Sequence, residues 1–217
     1  MRKNFTEVVF ILDESGSMEC LKSDTVGGFN SLIEKQKSEE GEAVVSAVLF
    51  STESRVLLDR VPVDRVKKLT DRDYCPNGGT ALLDAVGNAV KHIGNIHKYA
   101  RPEDVPEHTL FVINTDGMEN SSRRYTADKV KKMISRQQEK YGWEFVFLGA
   151  NIDAAETAES IGIGRASAVD FVYDDIGCAM QYDAMSMAVS NVRKGKKLSE
   201  SADWRKEVDA DKKKRSR

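Results

Sequence analysis

The chain has 217 residues, with 33 basic and 35 acidic side chains and a formal net charge of −2. Its 40% apolar and 31% charged residues are typical of a globular protein and exclude collagen-like, coiled-coil and disordered classes for the whole chain. A near-neutral charge also argues against a protein built wholly around nucleic acid. We therefore expect one domain with a hydrophobic core, with or without a tail.

The chain shows no targeting or cross-linking pattern. It contains neither the run of about 20 apolar residues that a membrane-spanning helix needs nor the pattern of a secretory signal peptide. Cys20, Cys75 and Cys178 are odd in number and widely spaced, which fits neither a disulfide framework nor a zinc site. The expected location is therefore the cytoplasm.

Hydrophobic periodicity predicts strands and helices that alternate along the chain. Ser23 or Asp24 could cap the first helix, Gly195 could end the last, and the short link after the second strand makes the third antiparallel to it. In chain order we predict a strand over 8–12, a helix around 26–33, strands over 44–50 and 55–61, a helix around 82–93, a strand over 109–114, a helix over 127–140, a strand over 143–148, a short helix over 154–161, a strand over 168–172 and a helix around 180–192.

This alternation predicts a three-layer α/β fold with a doubly wound, Rossmann-like sheet. The predicted sheet has six strands and is mainly parallel, and one of the six is an antiparallel edge strand. We place this domain at 1–198 and a charged C-terminal tail at 199–217, because seven basic and four acidic residues lie between Asp203 and Arg217. A solvated helical extension or a frayed end is the expected state of the tail, although Trp204 favours docking on the body.

Oxygen-bearing side chains follow the predicted strands at the places where ligands bind in open α/β sheets, beyond the carboxyl ends of the strands. Two carboxylates and three hydroxyls belong to this set: Asp13, Ser15, Ser17, Thr80 and Asp116. Hard oxygen donors suit Mg²⁺, Mn²⁺ or Ca²⁺ better than zinc or copper. So few ligands would leave coordination positions open to solvent or to a partner.

The same residues carry a family resemblance. The run Asp13-x-Ser15-x-Ser17, the Gly78-Gly79-Thr80 loop and the Thr115-Asp116-Gly117 turn resemble the metal-ion-dependent adhesion site of von Willebrand factor type A domains. The segments 25–30, 79–85 and 147–153 are similar to stand-alone bacterial and phage-borne members. The resemblance covers about residues 6–195 and implies the fold of that family.

The resemblance also implies roles for the five residues. Ser15 and Ser17 would bind the metal through their hydroxyls, Thr80 directly or through water, and Asp13 and Asp116 directly or by holding waters. In the family, a Glu or Asp of another protein commonly fills the remaining position. We therefore expect a non-enzymatic, monomeric protein-binding module with bound Mg²⁺, or else Mn²⁺ or Ca²⁺, and an unidentified acidic protein partner rather than a membrane.

Structural interpretations of single residues stay open. Ser and Asp are common in turns, and Thr80 could be only a helix cap. Glu14 and Glu119 adjoin the ligands, and we prefer solvation of the rim to metal coordination for both. Asn151 could shape specificity or only form a turn.

Enzymatic and nucleic-acid functions are the alternatives. His92, His97 and His108 form no catalytic set and are expected at the surface or at an interface. A Mg²⁺-dependent hydrolase or phosphotransferase on a Rossmann-like fold remains possible, but Ser15 stands where a haloacid-dehalogenase-like phosphatase needs a second carboxylate. Nucleic acid is expected only through the basic tail at 212–217.

Overall fold

The computed structural model describes residues 1–215, and a six-stranded sheet runs through them. Its strands are β1 Arg2–Asp13, β2 Glu42–Phe50, β3 Ser54–Pro62, β4 Pro106–Thr115, β5 Glu144–Gly149 and β6 Ala168–Asp170. They lie in the order β3-β2-β1-β4-β5-β6, with β3 antiparallel to β2 and all other neighbours parallel. The predicted α/β architecture is confirmed.

Helices cover both faces of this sheet. They are α1 Lys22–Lys37, α2 Leu82–Tyr99, α3 Ala127–Tyr141, α4 Ala154–Ser160, α5 Asp175–Arg193 and α6 Lys206–Arg215. One buried cluster joins the sheet to α1 and α5, and the other joins it to α2, α3 and α4. None of the helices within residues 1–215 is both long enough and apolar enough to cross a membrane.

The strand β1 shows why an uninterrupted apolar run belongs at the centre of the sheet. Successive side chains of a strand point to opposite faces. Phe10 and Leu12 therefore pack in the cluster under α1 and α5, whereas Val9 and Ile11 pack under α2 and α3. Because both faces are covered, β1 has no solvent-facing side in its second half.

Strand order reverses between β1 and β4. From β1 the chain moves outward to β2 and β3, and from β4 it moves outward in the other direction to β5 and β6. The loops that leave β1 and β4 therefore diverge at one edge and leave a crevice between them. This crevice is the place at which the predicted oxygen donors should meet.

Two helix ends were predicted with different success. The proposed capping of α1 by Ser23 or Asp24 is wrong: a 3₁₀ turn over Gly16–Leu21 runs directly into a helix that already begins at Lys22, with no side-chain cap. Gly195 does follow the end of α5, and its φ of +72° is the left-handed conformation that glycine adopts readily.

The C-terminal segment packs on the domain. Trp204 is only 2% exposed and joins the cluster under α1 and α5, as does Val208 of α6. Lys212 of α6 forms an ion pair with Asp170 at 2.9 Å. The docking suggested by Trp204 is thus confirmed, whereas the boundary between 198 and 199 stays a prediction and residues 216–217 of the tail lie outside the described residues.

Candidate metal centre

The carboxyl end of β1 supplies the first part of the site. Asp13 is the last residue of the strand and is fully buried. Its Oδ1 accepts a hydrogen bond from the backbone N–H of Ser15 at 2.8 Å, which turns the chain sharply after the strand. Because of this turn the Ser15 and Ser17 hydroxyls lie 3.0 Å apart on the same side of the loop.

The end of β4 meets this loop. The Thr115 hydroxyl donates to Asp13 Oδ2 at 2.5 Å, and the Ser17 hydroxyl donates to Asp116 Oδ1 at 2.9 Å. Four of the five predicted ligands are therefore connected by hydrogen bonds across the two central strands. Thr115, which the sequence analysis named only as part of a turn, fixes the buried carboxylate of Asp13.

The fifth predicted residue, Thr80, comes from the loop before α2. The carbonyl of Gly78, a residue with φ of +68°, accepts from the Gly16 N–H at 3.2 Å and so ties this loop to the one after β1. A Cβ placed on Gly117 would lie 3.4 Å from the Thr80 hydroxyl, so this hydroxyl faces the turn that carries Asp116. The helix begins only at Leu82, so Thr80 is not its N-cap.

Neither buried carboxylate has a cationic partner among residues 1–215. Burial raises the pKa of Asp13 from 3.8 to about 6, in spite of hydrogen bonds from Thr115 and Ser15. Burial also raises the pKa of Asp116. The surroundings thus disfavour both negative charges, which is the electrostatic condition for binding a cation.

One carboxylate oxygen at the site lacks any partner within residues 1–215. Asp116 Oδ2 is buried, and no hydrogen-bond donor of the described residues reaches it. Buried carboxylate oxygens normally have a partner, because leaving one without costs free energy. The described residues contain no group of three or more His, Cys, Asp or Glu side chains that could hold a metal ion by themselves. The donors at this site are instead two carboxylates and several hydroxyls. This set fits a hard divalent cation.

Comparisons with known proteins identify the fold. No protein-family model and no curated protein matches the chain in sequence. The fold does match solved structures. One is proximal thread matrix protein 1 from the mussel byssus, with a zinc-occupied MIDAS motif, at TM-score 0.57 and 13% identity over 86% of this chain and 46% of that one. Another is a von Willebrand factor type A protein from Catenulispora acidiphila, at TM-score 0.57 and 15% identity over 83% and 42%. The conserved hypothetical protein BatB from Bacteroides thetaiotaomicron matches at TM-score 0.56 and 14% identity over 87% and 99%.

The chain has the von Willebrand factor type A fold. It spans less than half the length of the mussel and Catenulispora proteins and nearly all of BatB. At these identities the likeness concerns the fold.

The two glutamates beside the predicted ligands accept hydrogen bonds from the surrounding loops. Glu14 is 4% exposed, and its carboxylate accepts from Arg55 at 2.7 and 3.1 Å and from the Cys75 N–H at 2.6 Å. The expectation of a solvated Glu14 is therefore wrong, because the charge is needed inside to anchor β3 and the loop before α2.

Glu119 has a comparable structural role. Its oxygens accept the N–H groups of Leu83 at 2.9 Å, Ser121 at 2.9 Å and Ser122 at 2.7 Å. These bonds satisfy a free donor in the first turn of α2 and shape the loop after β4. Glu119 is only partly buried, so its expected place at the rim stays a prediction, but its oxygens also bind backbone groups of the loop and of α2.

Three supporting residues escaped the sequence analysis. Asn120 accepts the Thr80 N–H at 2.9 Å and returns its own N–H to the Thr80 carbonyl at 3.0 Å. The hydroxyls of Tyr74 and Tyr173 donate to the backbone carbonyls of Asp13 and Ser17. No local pattern indicates them, because each contact joins segments far apart in sequence.

The other polar candidates lie apart from the metal centre. Asn151 has φ of +56°, so the turn interpretation of this residue fits the structure. Cys20 and Cys75 are exposed and Cys178 is buried, all as free thiols. His92 is half-exposed and pairs with Asp59, whereas the side chain of His97 is only 10% exposed and bonds the buried Glu7 at 2.6 Å.

Proposed function

We propose that the chain is a non-enzymatic protein-binding module that captures an acidic side chain of a partner through a divalent metal ion. The observation that carries this proposal is the buried Asp116 Oδ2, for which the described residues supply no donor. A cation is the partner that a buried and unpaired carboxylate oxygen most favours.

The five predicted residues would hold this metal. The hydroxyls of Ser15, Ser17 and Thr80 and the carboxylates of Asp13 and Asp116 are hard donors, which favour Mg²⁺, with Mn²⁺ or Ca²⁺ as alternatives. The mussel protein with its zinc-occupied motif supports divalent metal binding at this position of the fold. Zinc is not our choice for this chain, because the described site offers no thiolate or imidazole.

Capture of a carboxylate follows from the charge of the site. Two aspartates match the charge of one divalent ion but supply too few atoms to complete its coordination shell. The metal would supply a Lewis-acidic position open to solvent, and a Glu or Asp of another protein could take that position. The chain's own residues would keep the site rigid, since Tyr74, Thr115 and Asn120 fix the backbone and carboxylates of the three loops.

The surroundings of Asp13 support a binding function rather than hydrolysis. A phosphatase of the haloacid dehalogenase type would need a proton-donating carboxylate two residues after Asp13. Ser15 stands there, with its N–H on Asp13 and its hydroxyl on Ser17. We therefore assign no catalytic residue, and expect no turnover of p-nitrophenyl phosphate with Mg²⁺.

Capture from lysate of the native host tests the proposal. The immobilised chain should retain a partner in Mg²⁺ and release it in EDTA. Asp116→Asn should lose the partner, whereas Asp64→Asn should retain it, because Asp64 lies in an exposed 3₁₀ turn away from the site. Capture that is equal in EDTA, or equal for Asp116→Asn, would contradict the proposed function.

A further inference from the structure

A cavity lies between α2 and α3, at the end of the sheet opposite the metal centre. Its volume is about 620 Å³, which lies within the usual range for small-molecule sites. The start of β4 at Pro106 and the residue before β5, Trp143, both line it. No residue of the metal centre takes part, so this cavity requires an explanation of its own.

The floor of the cavity is aromatic and apolar. Trp143 is 5% exposed and stacks on Phe111 with 5.3 Å between ring centroids. Val90 and Met133 line the cavity from the two helices. Gly94 of α2 contributes open space, because a Cβ there would meet only Gln137 Nε2 at 3.4 Å and Trp143 at 3.9 Å.

The rim of the cavity is basic. Four exposed cationic side chains line it: Lys91, Lys98, Arg136 and Lys140. Among residues 1–215 none of them forms an ion pair, although Arg101 nearby pairs with Asp104. Lys98 lies over the ring of Tyr99, and Lys140 lies over the ring of Tyr141. The cavity therefore presents positive charge that the chain itself leaves unbalanced.

The nearby carboxylates do not cancel this charge. Glu107 is the one acidic residue of the lining, and its Oε2 accepts the Asn4 N–H at 2.8 Å. Glu7 lies behind His97, and its two oxygens bind Arg60 at 2.8 Å and His97 at 2.6 Å. Glu7 is paired with Arg60, and the four rim cations outnumber the single carboxylate of Glu107, so an anion in the cavity would meet mainly cations.

We propose that this cavity binds a small amphipathic anion, with an apolar body on Trp143 and a carboxylate head among the rim cations. Apolar burial and charge complementarity would act together, since the floor is apolar and the rim supplies three lysines and an arginine. This site is independent of the metal and of the proposed function.

Three probes with the same ten-carbon chain test the charge preference. Decanoate, decanol and decyltrimethylammonium are titrated into ¹⁵N-labelled protein while the two tryptophan indole N–H resonances are followed by NMR. Decanoate should move the Trp143 resonance with a dissociation constant of about 10–500 μM. Trp204 is an internal control, because it is buried in the cluster on the other face of the sheet. Decanol should bind more weakly and the cation should not bind.

Two pairs of variants complete the test. Arg136→Gln with Lys140→Gln should weaken decanoate binding about tenfold. The same double change at Lys131 and Lys132, on α3 but outside the cavity lining, should leave it unchanged. Gly94→Met should fill the cavity and abolish the shift, whereas Gly94→Ala should preserve it.

A clear set of results would overturn the proposal. These are an unmoved Trp143 resonance at millimolar decanoate, equal shifts with all three probes, or equal losses in the rim variant and its α3 control. Unchanged binding in Gly94→Met would also contradict the assigned location, provided that thermal unfolding shows this variant to be folded.

Discussion

The acidic side chains around the ends of β1 and β4 form two groups that differ in how their oxygens are used. Glu14, Asp84 and Glu119 accept N–H groups from the surrounding loops and are satisfied within the protein. Asp13 and Asp116 are buried without a cation, and Asp116 Oδ2 has no donor among residues 1–215. The first group therefore stabilises the loops, while the second group leaves negative charge between them without a balancing cation among these residues.

The largest expected effect comes from the supporting group. Asp84 accepts the N–H groups of Arg123, Arg124 and Tyr125, each at 2.9 Å. Asp84→Ala leaves these three donors without their acceptor, and should lower the free energy of unfolding by about 2–3 kcal/mol. Chemical denaturation with urea measures this change. A loss below about 0.5 kcal/mol would show that water replaces the carboxylate and that the division between the two groups is weaker than described.

The pH dependence of the same variant sharpens this comparison. Burial alone would raise the pKa of Asp84, but its three backbone donors outweigh burial and lower the pKa below 3.8. A lowered folded-state pKa stabilises the protein above the unfolded-state value, and this stabilisation is lost as the pH falls through the folded-state value. The difference between wild type and Asp84→Ala should therefore persist at pH 5–7 and shrink below about pH 4.

A smaller effect is expected at Glu14. Glu14→Gln removes the charge that pairs with Arg55, whose side chain is 47% exposed, so the loss of unfolding free energy should be about 1–2 kcal/mol. Metal-induced stabilisation should remain, because Glu14 is bonded to Arg55 and Cys75 rather than directed to the centre. A differential scanning fluorimetry shift with Mg²⁺ that disappears in Glu14→Gln would place Glu14 among the ligands.

The smallest effect is expected at Asp116, and it has the opposite sign. In EDTA at pH 7, Asp116→Asn should raise the free energy of unfolding by about 1 kcal/mol, because it removes a buried and unpaired charge. Burial raises the pKa of Asp116 above 3.8, so the wild type is stabilised by protonation at low pH and loses this stabilisation as the pH rises. The advantage of Asp116→Asn should therefore vanish near pH 4 and grow towards pH 7. Destabilisation by Asp116→Asn in EDTA would contradict the proposed charge deficit.

The strands and the oxygen donors of the candidate metal centre could be predicted from the sequence, whereas the residues that support the loops could not. The strands and the five oxygen donors follow from local patterns, because apolar runs mark buried strands and short polar runs after them mark the crevice. The structure brings Asp13, Ser15, Ser17 and Asp116 into one hydrogen-bonded group. Their metal ligation stays a prediction.

The supporting half depends on contacts that no local pattern encodes. Glu14 lies 41 residues from Arg55, and Thr80 lies 40 residues from Asn120, so these pairs exist only after the loops have folded. The position of His97 has the same cause, because Glu7 lies on a strand 90 residues away and draws the imidazole inward. The solvated position predicted for Glu14 is wrong for the same reason, because its buried contacts to Arg55 and Cys75 are not visible in the local sequence.

Titration with Mn²⁺ followed by electron paramagnetic resonance tests the central claim most directly, because bound Mn²⁺ loses the signal of the free ion. The wild type should bind one Mn²⁺ per chain, and Mg²⁺ should displace it. Asp116→Asn should bind at least about tenfold more weakly, which corresponds to about 1.4 kcal/mol, while Asp64→Asn should bind as the wild type does. Absence of a stoichiometric site in the wild type, or equal binding by Asp116→Asn, would contradict the account.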